Sequence, residues 1–405
     1  MSSEVWIRAW TALGVAAGAV YLAVLPVGHT AALRSVSYVL AFAAALALWA
    51  RPSRQVLPVL AAFAVWLALA CLSLLSTRDF AASVQAIENE VLRSLIVFLT
   101  FYLLSRRSAT AVPVWTIATA VGFGVLSAVA IATFFAYHEW RFNYVQPLGD
   151  YATSAITVLP LLAGHLAFRR PGAPVAALLA ISIALTLWAG LLTLSRGFWL
   201  VLICGMVLAA ALASSWGRRL RKRSIALLAV VCLAAVALAA VAAMLRGRPL
   251  VDLEPREVIY SAAIAKIPGN PLTGTGYGHE TDKEWYAAAM PGTSIFHPHN
   301  IFLSYVDQMG FLGALAVIVI FGAPCWVFWR VLRGSSTGEA RAAALCGLVL
   351  VACVFVKNNL DFFFWQHNLW LFFAHLGIYS GAIDRALAAP PRAERHQPAL
   401  DARIR

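Results

Sequence analysis

The chain has 405 residues, of which 61% are apolar and only 12% charged, a balance far from that of a soluble globular domain. Its net charge is +13 and its pI about 9.9. The basic residues sit in short segments between apolar runs, so the charge reads as a membrane-topology signal and not as a nucleic-acid-binding face.

Apolar runs of roughly 17–25 residues are long enough to cross a bilayer as helices. They predict about 12 spans: 9–27, 33–50, 55–75, 88–105, 111–137, 150–168, 174–193, 196–216, 224–244, 311–331, 342–358 and 368–384. The expected fold class is an all-α integral membrane protein with one large loop. The first span lacks a processing site and is expected to stay attached behind Arg8. With the N-terminus in the cytoplasm, Arg8, Arg51, Arg54, Arg106, Arg107, Arg169, Arg170, the R-R-L-R-K-R run at 218–223, Arg330, Arg333 and Arg341 all fall inside, together with the arginines of the tail. The six cysteines (Cys71, Cys204, Cys232, Cys325, Cys346 and Cys353) lie within apolar segments and lack C-x-x-C or Cys/His ligand spacing. Neither a disulfide framework nor a zinc site is expected from them. There is no internal repeat, which argues against a transporter built from two related halves.

This divides the chain into spans one to nine (1–244), an outer loop (245–310), three further spans (311–384) and a Pro/Arg-rich tail (385–405) expected to be disordered and cytoplasmic. Within the loop, Glu254-Pro255-Arg256 is a helix start. Val258, Ile259, Ala262, Ala263 and Ile267 then give an apolar face suited to a helix lying on the membrane. Asn270-Pro271 stops it, and L-T-G-T-G-Y-G follows as a tight turn without the strand–helix context of a dinucleotide fingerprint. Further helical pieces are expected over 281–289 and 300–309.

Chemistry is expected where ionisable groups meet the membrane boundary, because such groups are costly unless paired or used. Arg196, in T-L-S-R-G-F-W-L, joins two apolar runs with almost no loop. It is either an arginine snorkelling to lipid head groups or a fixed guanidinium for an anionic ligand. Arg256 at the loop-helix start is either balanced by Glu254 or Glu257, or part of an anion site with the helix N-terminus. Two such arginines suit a diphosphate. His299, in F-H-P-H-N-I-F-L-S-Y-V-D-Q-M-G-F-L-G, is either a capping histidine or a general base for a hydroxyl. Asn300 is expected to orient it or the acceptor. His297 competes for the same role, with Pro298 making the two rings point differently. Arg93, near Glu88 and Glu90, is a weaker phosphate contact. Lys357 and Asp361 are expected to form a structural ion pair, and the E-T-D-K-E run at 280–284 a solvated helix face.

Taken in order, T-L-S-R-G, then R-E-V-I-Y-S-A-A-I-A-K-I-P-G-N-P-L-T-G-T-G-Y-G, then H-P-H-N-I-F-L-S-Y-V-D-Q-M-G-F-L-G, the chain resembles the O-antigen ligase/polymerase superfamily of bacterial envelope enzymes over roughly residues 190–360. Length and layout are most similar to its O-antigen ligase (WaaL) branch. The resemblance implies a GT-C-like glycosyltransferase with Arg256, Arg196 and His299 as activity residues. It departs mildly at Tyr260, where members usually carry Trp. It also implies a metal- and cofactor-independent, inverting transfer on the periplasmic face of the inner membrane. The donor implied is undecaprenyl-diphosphate-linked O-antigen and the acceptor a sugar hydroxyl of lipid A-core. O-antigen polymerase and protein O-oligosaccharyltransferase are alternatives within the superfamily, and a lipid-linked oligosaccharide flippase is the alternative of a different class. The architecture implied is a loop capping a lateral cavity where the two lipid substrates meet.

Overall fold

The computed structural model describes residues 3–138, 140, 146–169, 171–193, 195–215, 254–289, 291, 297–335 and 337–389. The predicted span at 224–244 and the tail from 390 lie outside the described residues. Within them the chain is helical, with no strand. In chain order the helices are α1 (Ser3–Val24), α2 (Ala31–Ala47), α3 (Leu57–Ser73), α4 (Phe80–Ala86), α5 (Arg93–Arg107), α6 (Ala111–Tyr137), α7 (Leu148–Arg169), α8 (Ala173–Leu192) and α9 (Arg196–Ser215). After the undescribed stretch come α10 (Glu254–Lys266), α11 (Lys283–Ala289), α12 (Ile301–Met309), α13 (Phe311–Gly334), α14 (Gly338–Leu360) and α15 (Gln366–Ala388).

Eight of these, α1, α3, α6, α7, α8, α9, α13 and α14, are long and apolar enough to cross a membrane. The predicted spans at 33–50, 88–105 and 368–384 also coincide with helices, each with a reason for being less obvious. Helix α2 has 17 residues, and α15 carries Asn368, His375 and Asp384 in its buried face. The segment read as one span from 88 is a π-helical turn, Ile87–Leu92, followed by the 15-residue α5.

The bundle centre is α5 packed on α15. Gly377 and Gly381 let the two backbones approach, since an added Cβ would collide with the Phe98 and Tyr102 carbonyls. Ser105 donates to the Ile378 carbonyl at 2.9 Å. The two ends of the bundle differ. At one end Glu339, opening α14, pairs with Arg169 at 2.5 Å and Arg385 at 2.8 Å, from the last turns of α7 and α15. The other end carries the loop and the polar groups described next.

The loop is fastened by its glycines. Gly274, Gly276 and Gly278 all have positive φ, which costs a side-chain-bearing residue far more. An added Cβ on Gly274 would strike the Gln308 backbone. The N–H of Gly276 donates to the Gln308 carbonyl (3.0 Å) and that of Tyr277 to Ser73 Oγ (3.0 Å), threading the turn between α12 and α3.

Candidate active site

Helix α12 is preceded by its cap Asn300, whose Oδ1 accepts the Leu303 N–H at 3.1 Å. Its Nδ2 donates to the Asn359 carbonyl at 3.1 Å. Asn300 thus caps α12 and ties it to the end of α14, and its amide is spent on structure where the sequence suggested an orienting role. The residue before it, His299, has φ 51, a left-handed conformation unusual for a non-glycine residue. It is held there by the hydrogen bond from its N–H to His297 Nδ1 (3.2 Å) and by its ring contact with Asp361.

His299 Nδ1 lies 2.9 Å from Asp361 Oδ1, and Asp361 Oδ2 lies 3.3 Å from Lys357 Nζ. Lys357 has no exposed side-chain surface and also donates to the Asp361 carbonyl at 3.1 Å. Burial would raise the Asp361 carboxyl, but the Lys357 ammonium and the His299 hydrogen bond outweigh it and hold the group well below the usual carboxylate range. An ionised carboxylate only accepts, so Nδ1 carries a proton, and in the neutral imidazole Nε2 presents the lone pair. No hydrogen bond of Nε2 occurs among the described residues. The predicted Lys357–Asp361 pair is therefore present, and it is one limb of a three-membered chain whose third member the sequence did not link.

His297 is buried against Phe362 and Trp365, ring centroids 5.8 and 4.9 Å away. Burial, with the neighbouring His299 and His279, lowers its pKa to about 3, so at neutral pH it is an uncharged acceptor for the His299 backbone. The two rings point differently across Pro298, as expected, with 62° between their planes. They meet edge to face, 4.2 Å between centroids.

Arg196 is the first residue of α9. The turn before it is held by Ser195, whose N–H donates to Thr193 Oγ1 (3.2 Å). A Cβ on neighbouring Gly197 would lie 3.7 Å from Leu360, so Arg196 stands at the level of Asp361. Arg256 and Tyr260 are on α10, half-buried. The predicted apolar face of that helix is mostly turned into protein. Ile259 and Ala263 pack on Tyr286 of α11, while Val258 remains 53% exposed. The α10–α12 contact is fixed by a buried pair, Lys266 Nζ to Asp307 Oδ1 at 3.0 Å, with the Tyr286 hydroxyl donating to Asp307 Oδ2 at 2.8 Å. Arg256 makes no hydrogen bond or ion pair with His299 among the described residues. Arg93 follows the π turn, with its guanidinium 4.7 Å from the Trp370 ring centroid. Glu280 pairs with Lys283 on the exposed surface.

So the fold brings His297, His299 and Asn300 together with Asp361 and Lys357, places Arg196 next to Gly197, which faces Leu360 at the end of α14, and leaves Arg256, Tyr260 and Arg93 on neighbouring elements. Sequence reading missed Asp361 as the partner of His299, the Lys266–Asp307 pair, and the hydrogen bond from Tyr277 to buried Glu90 (2.8 Å). The available signal was a lysine four residues before an aspartate at the end of an apolar run, too costly there without a purpose. A cavity of about 400 Å³ lies between α7, α8, α9 and α14 and is lined by apolar residues. None of the predicted site residues lines it.

Residues 181–318, about a third of the chain, match the family model described as O-antigen ligase. This stretch contains Arg196, Arg256 and His299 but neither Lys357 nor Asp361. No curated protein sequence matches the chain.

Proposed function

We propose, from the O-antigen ligase domain at residues 181–318 and the membership of the ligase/polymerase superfamily that it supports, that this chain is an O-antigen ligase. It transfers polysaccharide from undecaprenyl diphosphate to a sugar hydroxyl of lipid A-core, on the periplasmic face of the inner membrane. The superfamily accounts for the class of activity, joining a lipid-linked polysaccharide to an acceptor, and the multi-pass helical fold suits substrates that never leave the membrane.

The observation that carries the reading is His299, with Nδ1 bonded to Asp361 at 2.9 Å and Nε2 without a protein partner among the described residues. An imidazole held in this tautomer takes a proton from a hydroxyl at Nε2. The acceptor oxygen then bonds to the anomeric carbon as the bond from that carbon to the diphosphate oxygen breaks on the opposite face. The configuration inverts, undecaprenyl diphosphate departs with the bonding pair, and the imidazolium is stabilised by Asp361. Arg196 and Arg256 neutralise the charge that grows on the departing diphosphate. His297 keeps the His299 backbone in place and remains uncharged, so it does not compete for the proton.

The test is complementation. In a Gram-negative strain lacking its ligase but supplied with native core and O-antigen, the chain should restore the long lipopolysaccharide ladder. Extension of single-repeat chains in a polymerase-null strain, with no ladder restored in the ligase-null strain, would assign the polymerase reaction instead. Export of lipid-linked glycan without any new linkage would assign a flippase.

A further inference from the structure

We propose that Arg34 and Arg93 form a second anion site, which binds a phosphate of the acceptor lipid; this rests on the transferase reading above. Arg34 lies in the first turn of α2, and Arg93 opens α5 behind the π turn. Neither forms an ion pair among the described residues. Helices α2 and α5 pack side by side and run the same way, since the Arg106 guanidinium donates to the Arg51 carbonyl and the Ser53 N–H to the Tyr102 hydroxyl where both end, so Arg34 and Arg93, near their starts, lie at the same end of the bundle. The Arg34 guanidinium donates to the Leu25 carbonyl at 3.4 Å, and Tyr21 of α1 packs against both helices, on Tyr38 of α2 and, at 6.0 Å between centroids, on Phe101 of α5. The Tyr21 and Tyr38 rings are themselves 5.8 Å apart.

An arginine reaching for bulk lipid head groups is free to move, whereas Arg93 is braced. Its guanidinium rests on Trp370, and the Trp370 indole N–H is pinned to the Asn89 carbonyl inside the π turn at 2.8 Å. A stacked, planar guanidinium is preorganised for phosphate, and π turns occur preferentially at functional sites.

The patch is also continuous with the candidate active site. His367 Nε2 lies 4.0 Å from Asp150 Oδ1. Asp150 accepts from Asn368 Nδ2 at 2.8 Å, and the neighbouring Gly149 lies against the Phe363 ring, two residues from Asp361. Contacts therefore lead across this end of the bundle from Arg93 on Trp370, along the start of α15 to His367 and Asp150, and on past Phe363 to Asp361 and His299. Joining two lipid-anchored anions on one side of a membrane calls for two separate cationic sites. Arg196 and Arg256 serve the diphosphate donor, and Arg34 and Arg93 the acceptor.

The experiment uses the full chain in nanodiscs of phosphatidylcholine. It compares wild type with Arg34→Gln/Arg93→Gln, and with Arg8→Gln as a control for loss of a distant arginine. The acceptors are lipid A-core and the same glycolipid after phosphatase treatment. The double variant should raise the acceptor KM at least tenfold while leaving the donor KM within twofold. Phosphatase treatment should impose the same penalty on wild type and little more on the variant. Equal rises in both KM values, or a variant that still discriminates phosphorylated acceptor, would overturn the assignment. If added phosphatidylglycerol competes as well as lipid A-core, the site serves bulk anionic lipid and the acceptor assignment falls. Direct binding of the two glycolipids is measured alongside. Should wild type catalyse no transfer, the transferase reading fails, but selective binding of the phosphorylated form that the double variant loses still upholds this site. Equal binding of both forms refutes it.

Discussion

Replacing Asp361 with asparagine tests whether the His299 tautomer is set by its neighbours. In the native protein Asp361 Oδ1 faces His299 Nδ1 and Oδ2 faces the Lys357 ammonium. An amide has one acceptor and one donor end, and an ammonium offers only donors. Lys357, fully buried, therefore claims the amide oxygen and turns the NH2 toward His299. Nδ1 must then accept, the proton moves to Nε2, and the imidazole no longer has a lone pair where the hydroxyl arrives. A positioned general base contributes about 10²–10⁴-fold, so Asp361→Asn should lower kcat by a factor in that range, about 3–5 kcal/mol of barrier. A second variant separates tautomer from mere disruption. In Lys357→Met/Asp361→Asn no ammonium claims the oxygen, the amide is free to present it to Nδ1, and part of the lost activity should return, a non-additive result. The assay is transfer from lipid-linked donor by purified protein at saturating substrates, with expression and thermal stability checked. An Asp361→Asn enzyme within about threefold of wild type, or a double variant no better than the single one, would refute the argument.

Three further outcomes follow from the same geometry. Because the His297 pKa is lowered to about 3 in the folded protein while an unfolded histidine titrates near 6.5, only the unfolded chain takes up this proton between those values. Folded stability should fall with pH by up to about 1.4 kcal/mol per unit below 6.5, or about 2 kcal/mol at pH 5. Thermal unfolding of wild type against His297→Gln should show the variant with the shallower pH slope; Asp361, held below the ordinary carboxylate range, keeps its charge in that window. Lys266→Met strips the cation from Asp307, a pair with side chains only 3% exposed, and should cost about 3 kcal/mol or more, read as a lower unfolding temperature, while Lys266→Met/Asp307→Asn recovers part of it. Gly274→Ala puts a side chain at φ 66 against the Gln308 backbone and should deplete folded protein in the membrane, whereas Gly269→Ala, with open space around it, should express normally.

The helices were legible because crossing a bilayer imposes length and apolarity on each one separately. Start signals in the loop were equally local for α10, which begins at Glu254 where Glu254-Pro255 predicts it, and α12 falls within the helical piece expected over 300–309, but its Asn300 cap was not read from the sequence. What was not legible depends on contacts between distant residues. His299 and Asp361 are 62 positions apart and meet because Asn300 fastens α12 to the end of α14. The π turn escaped notice because Ile87–Leu92 has the composition of any helix entrance, and its value lies in aiming Glu90 at Tyr277 and Arg93 at Trp370. For α10, periodicity identified an apolar face but not its partner, and the partner is Tyr286.

The central claim is that His299 takes the acceptor proton in a glycosyl transfer. It is tested most directly by single-turnover transfer in proteoliposomes holding undecaprenyl-diphosphate-linked O-antigen and lipid A-core, comparing wild type with His299→Gln and determining the anomeric configuration of the new linkage. The account predicts an inverted linkage and a rate for His299→Gln lower by about 10²-fold or more, with donor binding retained. A retained configuration, or a His299→Gln rate equal to wild type, would contradict it.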